Sequence, residues 1–237
     1  RRTERRLEER ARDRATQRAE SRQAPPEEVR AATAAAVPSP KEQSNFTDPD
    51  SRIMKTSAGW VQGYNAQVLV NDQGVIIAQE VTARHADTTR LAAMLDQSDA
   101  NLATVGVAPE ERQAGVFTAD AGYCSEGNLA LLAERRVDAY VATGRERHRR
   151  AGIDLHGCPR TPLRTAMRAK LQTGEGHAVY ARRKVLTEPV HGLIKQARGF
   201  RQFLLRGAAK VAGEFTLVTM THNLLKLWRA QPAFAAG

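Results

Sequence analysis

Segments with strand character and segments with helix character alternate along most of this 237-residue chain. Two β-rich runs, residues 64–70 and 75–81, flank Asn-Asp-Gln-Gly, a sequence typical of a hairpin turn. Short apolar runs follow at residues 116–119 and 137–143, and segments with apolar residues at helical spacing separate these strands. The alternation predicts an α/β fold in which an antiparallel hairpin lies at one side of parallel strands.

The first 44 residues differ in composition from the rest. Residues 1–23 are mostly Arg, Glu, Ala and Gln, which favours a helix with many oppositely charged i,i+4 pairs but few side chains to pack. Four prolines around an Ala-rich piece at residues 24–44 predict a linker. We therefore expect a charged helical arm and linker over residues 1–44 and one folded domain over residues 45–237, with an insertion at about residues 145–179.

Charge is distributed unevenly. The net charge is +10 overall, −6 over residues 31–143 and +13 over residues 144–237. Basic residues concentrated in one part of a chain are typical of nucleic-acid binding. No apolar run is long enough to span a bilayer, and two cysteines are too few for a disulfide framework, so we expect no membrane partner and a reducing, cytoplasmic location.

Two acidic residues occupy positions where functional carboxylates are expected. Asp120 directly follows the apolar run at residues 116–119, and the carboxyl end of a buried strand is where α/β sheets place functional groups. Glu188 lies in a strongly basic segment, directly before Pro189. Proline is favoured in the first turn of a helix, so we expect Glu188 at or next to the N-cap, where the helix dipole favours a carboxylate.

Three residues after Glu188 are spaced so that a helix would place them on the same face as Glu188. His191, Gly192 and Lys195 are expected on the face that carries Glu188. Gly192 would let another backbone approach that face. An acid in such a basic setting suits a carboxylate that holds a metal ion next to a polyanion.

Helix caps account for other polar residues. Asp87 and Ser125 each precede a helical pattern and are predicted to be N-caps, with an acid-site role as the alternative for Asp87. A third helical pattern at residues 211–228 is expected to pack on the core, with Trp228 inside it.

The sequence contains residues for two other kinds of site. His148, His156 and Cys158 could form a zinc site, but their spacing is irregular and no second pair follows. Cys124 could act as a nucleophile, but no His or Asn is placed by sequence to activate it, and a buried structural thiol is commoner.

Taken in order, several stretches resemble the catalytic part of bacterial insertion-sequence transposases of the DDE superfamily, in an IS4-like group. They are NFTDPDSRIM, GYNAQV, TADAGYCSEGNL, YARRKVLTEPVHGLIKQARGFRQFLLRG and HNLLKL, and they span about residues 45–228. The resemblance implies an RNase H-like mixed sheet flanked by helices, two Mg²⁺ or Mn²⁺ ions, and DNA strand cleavage and transfer. It also implies transposon-end and target DNA as partners, a homodimer, and a nucleoid-associated bacterial location.

The resemblance assigns roles residue by residue. Asp120 matches the second catalytic Asp and Glu188 the catalytic Glu, both of them metal ligands. Lys195 matches a lysine that holds DNA phosphate, and Tyr180 and Arg183 resemble the Tyr and Arg that precede the Glu. Four further basic residues around this segment are expected to contact phosphate: Lys184, Arg198, Arg201 and Arg206.

The chain departs from the family pattern in one serious respect. The first catalytic Asp lies on the strand before the hairpin, and no Asp-Gly-Thr-like strand precedes Gly63. We expect that strand to have been lost with an N-terminal piece, with Asp48 and Asp50 as the local substitutes for the third carboxylate. A smaller departure is His191, which stands where the family has Phe. The chain alone is expected to bind DNA and to cut it poorly or not at all; the alternative is a non-catalytic basic DNA-binding protein.

Overall fold

The computed structural model of the chain describes residues 2–22, 24–40, 44–56, 59–83, 87–112, 115–144 and 161–230. The chain divides into two units, the first formed by Arg1–Tyr64 with Arg206–Ala208 and the second by Asn65–Leu205 with Ala209–Gly237. Within the described ranges, no helix is both long and apolar enough to cross a membrane.

The first unit begins with two helices, α1 (Arg2–Ser21) and α2 (Pro26–Ala34). The hydroxyl oxygens of Thr16 in α1 and Thr33 in α2 lie 2.7 Å apart. The buried guanidinium of Arg10 donates hydrogen bonds to the backbone carbonyls of Pro49 and Ser51. The arm is therefore a helix, as predicted, but it is packed more closely than its polar composition suggested, and the linker contains a helix of its own.

Two strands of the first unit form an antiparallel pair. They are β1 (Arg52–Thr56) and β2 (Gly59–Gly63), with Met54 opposite Val61. Met54 is buried, whereas Trp60 is 71% exposed. Neither strand contains an acidic residue, so strands precede Gly63 without supplying the missing aspartate.

The second unit contains the two strand pairs that the sequence predicted. β3 (Asn65–Val70) and β4 (Ile76–Thr82) are antiparallel, and β5 (Val116–Ala119) and β6 (Asp138–Val141) are parallel. In the described ranges the strands form three separate two-stranded sheets. The predicted mixed α/β class, with an antiparallel hairpin and parallel strands, is confirmed.

Helices surround these strands. In chain order they are α3 (Leu91–Thr104), α4 (Pro109–Arg112), α5 (Glu126–Glu134), α6 (Pro162–Gln172), α7 (Gly174–Ala181), α8 (Arg183–Gly192) and α9 (Ala208–Ala230). Short 3₁₀ turns lie at Asp87–Thr89 and Ala121–Tyr123, and a π-helical turn, Leu193–Ala197, follows α8.

Only one of the two predicted N-caps is found at the start of its helix. Ser125 caps α5 as predicted, accepting a hydrogen bond from the Asn128 N–H at 3.1 Å. Asp87 is not the N-cap of α3, because a 3₁₀ turn intervenes and Arg90 occupies that position. Residues 174–181 form α7, with Thr173 capping its first turn.

Two apolar clusters lie on the strands of the second unit. The larger one includes Leu91, Phe117, Leu132 and Val141, and the smaller one consists of Ile76, Val190 and Ile194. The inner side of α9 carries four buried residues, Val211, Phe215, Thr219 and His222. Trp228 is 51% exposed, so its predicted place in the core was wrong; it lies off the stripe that faces inward.

Candidate active site and basic surface

Asp120 lies where the sequence predicted, directly after β5. Its backbone remains extended, with φ −78° and ψ 177°, so the side-chain alternation of the strand continues through it. Phe117 and Ala119 are buried in the larger cluster, and Asp120 therefore lies on the opposite face. The carboxylate is exposed, and its Oδ1 accepts a hydrogen bond from the Gly122 N–H at 3.0 Å.

A second segment, far away in sequence, fixes the turn that follows Asp120. Arg164 of α6 donates a hydrogen bond to the backbone carbonyl of Cys124. Glu126 accepts hydrogen bonds from the Thr161 hydroxyl and, at 3.0 Å, from the Leu163 N–H. The Thr161 hydrogen bond lowers the pKa of Glu126. Sequence reasoning missed Arg164, because nothing in the local pattern of α6 indicates a contact 40 residues upstream.

Glu188 lies inside α8 and not at its N-terminus, which corrects the prediction. The helix begins at Arg183, and Pro189 is one of its interior residues. The Val185 and Leu186 N–H groups donate to the Arg182 carbonyl, so the first turn forms ahead of Glu188. An interior proline removes one helical hydrogen bond, at a cost of roughly 3 kcal/mol. Pro189 therefore correctly indicated a helix, but the helix does not begin at this residue.

The Glu188 carboxylate is exposed on the outer side of α8. Val190 is 1% exposed and packs against strand residues. Two residues of α-helix correspond to a rotation of roughly 200°, so Glu188 lies nearly opposite Val190. A Cβ atom on Gly192 would meet nothing within 4 Å in the described ranges, so the close backbone approach expected there is not seen.

Exposed cations accompany Glu188. Lys184 and Lys195 are both exposed, and Lys184 lies one turn before Glu188 on the same face. The guanidinium of Arg183 lies 5.7 Å from the ring centre of Tyr180. The Arg183 Nε is buried and has no hydrogen-bond partner within the described ranges. These four residues therefore lie on α8 or in the segments directly beside it.

Two of the other predicted phosphate contacts, Arg198 and Arg201, are engaged within the protein. Arg198 donates hydrogen bonds to the hydroxyl of Thr221 in α9 and, at 2.9 Å, to its carbonyl. Arg201 donates to the side-chain carbonyl of Gln196. Arg198 thus joins the π-helical turn to α9, and its guanidinium is less available to DNA than the ammonium groups of the two lysines.

His191 is half-buried among cations. Burial lowers its pKa, and the positive charges of Lys195 and Arg183 lower the pKa further. Each factor disfavours the charged imidazolium. His191 is therefore mainly neutral near pH 7, and an anion bound at this surface would oppose the effect of the two cations.

Asp48 and Asp50 lie in the first unit, where backbone groups hold both. Asp48 Oδ1 accepts hydrogen bonds from the Tyr64 hydroxyl at 2.8 Å and from the Gly207 N–H at 3.1 Å. Asp50 Oδ2 accepts one from the Ala208 N–H at 3.0 Å. Burial, followed by the hydrogen bond to Asp48, raises the pKa of Tyr64. These contacts favour a structural role for the two aspartates.

The carboxylates do not assemble into a complete metal centre. Asp120 and Glu188 are oxygen donors of the kind that Mg²⁺ and Mn²⁺ prefer. In the portion of the chain that the structure describes, however, no three Asp, Glu, His or Cys side chains are grouped to hold a metal ion. The donors present therefore do not fit the two-metal site that the resemblance implies.

The alternative sites gain no support. His148, His156 and Cys158 lie outside the described residues. Cys124 is 3% exposed, in the larger cluster, which is the environment of a structural thiol.

A mixed α/β domain with exposed carboxylates and an exposed basic helix is typical of proteins that act on nucleic acid. Comparison with protein families gives a match to the transposase DDE domain over residues 27–224. The chain therefore belongs to the transposase DDE domain family, whose substrate is DNA and which generally uses divalent metal ions. No curated protein and no solved structure matches the chain.

Proposed function

We propose that this chain is the catalytic region of an insertion-sequence transposase, IS4-like in its motifs, and that it carries two of the three carboxylates needed for metal-dependent DNA cleavage and strand transfer. Asp120 and Glu188 are the two metal ligands, and Lys184 and Lys195 contact DNA phosphate, with Arg183 held beside Tyr180. The single observation that carries the proposal is the family match, which spans both carboxylates and the basic helix.

The positions of the carboxylates support these roles. Asp120 follows β5, from which Phe117 and Ala119 pack in the larger cluster. Both carboxylates are exposed. Among the described residues no three such donors are grouped to hold a metal ion, and we expect the isolated chain to bind DNA and to cut it poorly or not at all.

Nicking of supercoiled plasmid in Mg²⁺ or Mn²⁺ tests the proposal. The chain and its Glu188→Gln variant should both shift DNA in a gel and should both leave the plasmid intact. Strong nicking by the chain that Glu188→Gln abolishes would show that the metal site is complete and overturn the predicted inactivity. Failure of the chain to bind any DNA would overturn the transposase proposal itself.

A second function, non-catalytic DNA binding, is favoured because no three metal-binding side chains are grouped among the described residues. Metal binding separates the two functions. Weak Mn²⁺ binding that Asp120→Asn or Glu188→Gln reduces supports an incomplete catalytic site, whereas an unchanged affinity supports a DNA-binding protein without one.

The homodimer and the nucleoid-associated, cytoplasmic location implied by the resemblance belong to the same proposal. Light scattering of the chain, with and without DNA, measures the assembly. Fluorescence microscopy of a tagged chain in a bacterial cell shows whether it co-localises with DNA.

A further inference from the structure

The outer face of the β1–β2 pair carries large apolar side chains that are exposed. The strand register places Lys55 opposite Trp60, and Ile53 opposite Gln62 on the same face. Trp60 is 71% exposed and Ile53 is 53% exposed, whereas Met54, on the other face, is buried. The solvent face of an antiparallel pair is usually polar. An exposed apolar group beside a cation is more typical of an interaction surface.

Hydrogen bonds hold the other end of this strand pair within the protein. The guanidinium of Arg52 donates to the three consecutive backbone carbonyls of residues 49–51, at 3.1, 3.1 and 3.2 Å. The side-chain amide of Gln62 donates to the hydroxyl of Ser51 at 2.8 Å, and Ser51 is buried. Arg52 and Gln62 are therefore engaged internally, so the cation that the outer face offers to a partner is Lys55.

The backbone at Gly59 fixes the start of the strand that presents Trp60. Gly59 has a φ of 124°, a conformation that side-chain-bearing residues rarely adopt. Its carbonyl accepts a hydrogen bond from the Thr56 hydroxyl at 3.0 Å. The indole is thus attached to a defined strand and not to a free loop, and a ligand that binds to it has little backbone to order.

The charge of the outer face favours an anionic partner. The Lys55 Nζ lies 6.0 Å from the centre of the Trp60 ring and is exposed. Neither β1 nor β2 contains an acidic residue. Aromatic rings on which bases stack, combined with cations that contact the backbone, are how proteins bind single-stranded nucleic acid. The family to which the chain belongs acts on DNA.

We propose that the outer face of the β1–β2 pair binds single-stranded DNA, with an unpaired base stacked on Trp60 and a neighbouring phosphate held by Lys55. Ile53 extends the apolar surface available to the bases. The base must be unpaired, because within a duplex its faces are already covered by its neighbours. The proposal rests on the proposed DNA-binding function, but it is independent of the metal ligands.

A second copy of this chain fits the outer face less well. A two-fold contact joins the same patch of both copies. Such a contact would bring two Lys55 ammonium groups towards each other, and the two strands supply no carboxylate to pair with them. Phosphate provides the missing negative charge, and a base provides the flat apolar surface.

Tryptophan fluorescence of the full chain gives the first test. The chain contains two tryptophans, Trp60 and Trp228. The Trp228→Phe variant therefore reports on Trp60 alone, and Trp60→Phe reports on Trp228 alone. An oligothymidylate of about twelve nucleotides, within the usual site size, should quench the emission of Trp60 and leave that of Trp228 unchanged. Unchanged Trp60 emission while anisotropy shows the oligonucleotide bound would overturn the proposal and leave the proposed function intact.

Binding to an abasic strand gives the second test. The chain should bind the oligothymidylate about fivefold or more tightly than an abasic strand of the same length, because only the bases stack. Trp60→Ala should lose this preference and Trp60→Phe should keep most of it. Trp228→Ala is the matched control, since Trp228 is also exposed, and it should behave as the unaltered chain. An undiminished preference in Trp60→Ala would overturn the role of the ring.

Salt dependence separates the contributions of the ring and the cation. Trp60→Ala should weaken binding without changing the slope of log K against log salt, since the indole carries no charge. Lys55→Gln should reduce that slope by about 0.7, the value for one phosphate contact on a single strand. An unchanged slope in Lys55→Gln would overturn the phosphate contact.

Two further outcomes identify what has failed. Trp60 emission that varies with chain concentration in the absence of DNA would assign the outer face to a second copy and overturn the proposal. Failure of the chain to bind both the oligonucleotide and plasmid DNA would overturn the proposed function together with this inference. Normal binding to duplex DNA with no binding to the oligothymidylate would overturn this inference alone.

Discussion

The side-chain amide of Asn223 pairs with the backbone of Ile76 in both directions, donating to its carbonyl at 2.8 Å and accepting from its N–H at 2.9 Å. The neighbouring His222 lies 3.0 Å from the Gly74 carbonyl, and Lys226 donates to the Gln73 carbonyl at 2.9 Å. Three residues of α9 therefore hold the β3–β4 turn and the start of β4. This is the physical role of the HNLLK sequence.

Asn223→Ala should destabilise the protein by roughly 1–3 kcal/mol, because two backbone groups at the edge of β4 lose their partner. Urea denaturation measures this loss, and hydrogen exchange should show faster exchange at the Ile76 amide. Leu224→Ala is the matched control, since Leu224 is 56% exposed and its truncation should change stability little. Equal effects of the two substitutions would contradict the role of Asn223.

Asp48→Ala should destabilise the first unit by roughly 1–2 kcal/mol, because the Tyr64 hydroxyl and the Gly207 N–H both lose their acceptor. Thermal denaturation gives the stability, and Mn²⁺ titration of the same variant gives the metal affinity. The structural role predicts a lower Tm with unchanged Mn²⁺ affinity. A loss of Mn²⁺ affinity at unchanged Tm would make Asp48 the third ligand.

Lys195→Gln and Arg198→Gln should have different consequences, although both remove a positive charge. Lys195 is exposed, so its loss should weaken DNA binding and lower the salt dependence of log K by about 0.9, the value for one phosphate contact. Arg198 holds Thr221, so its loss should mainly lower Tm. Fluorescence anisotropy over a salt series and thermal denaturation measure the two effects. The assignment fails if the two variants behave alike in both measurements.

The pKa of His191 should rise towards its ordinary value of 6.5 in Lys195→Gln, because one of the cations that disfavour the imidazolium is removed. NMR titration of the ring resonances measures the change. Lys184→Gln serves as the control, since Lys184 is not among the charges that act on His191. An unchanged pKa in Lys195→Gln would contradict the arrangement.

The same shift sets the sign of the pH dependence of folding. The folded pKa of His191 lies below the unfolded value of 6.5, so the folded state binds fewer protons. The contribution of His191 to stability is therefore complete above pH 6.5 and declines as the pH falls from there through the lowered folded pKa. The affinity for DNA should show the opposite pH dependence and increase at lower pH, because a bound phosphate favours the imidazolium.

Local patterns allowed most of the second unit to be predicted from the sequence. Alternating apolar residues and a turn sequence predicted β3 and β4, and Ser125 predicted the start of α5. Asp120 could be placed because a buried strand directly precedes it. These features depend on neighbours within a few residues, which a single sequence displays.

The errors arose where distant contacts decide the structure. Pro189 suggested a helix start, yet α8 begins earlier and accommodates the proline inside. The contacts of Asp48 with Gly207 and of Arg164 with Cys124 join residues 159 and 40 positions apart. Trp228 lies on a helix whose inner stripe is set by the strands beneath it. No local pattern contains such information.

The contact between Asn223 and Ile76 has a consequence for the order of folding. β3 and β4 are joined by residues 71–75, and β5 and β6 by a single crossover through α5, so each strand pair can form early from contacts close in sequence. Asn223 and Ile76 lie 147 positions apart, so their contact is expected to form late, when α9 docks on the β3–β4 turn.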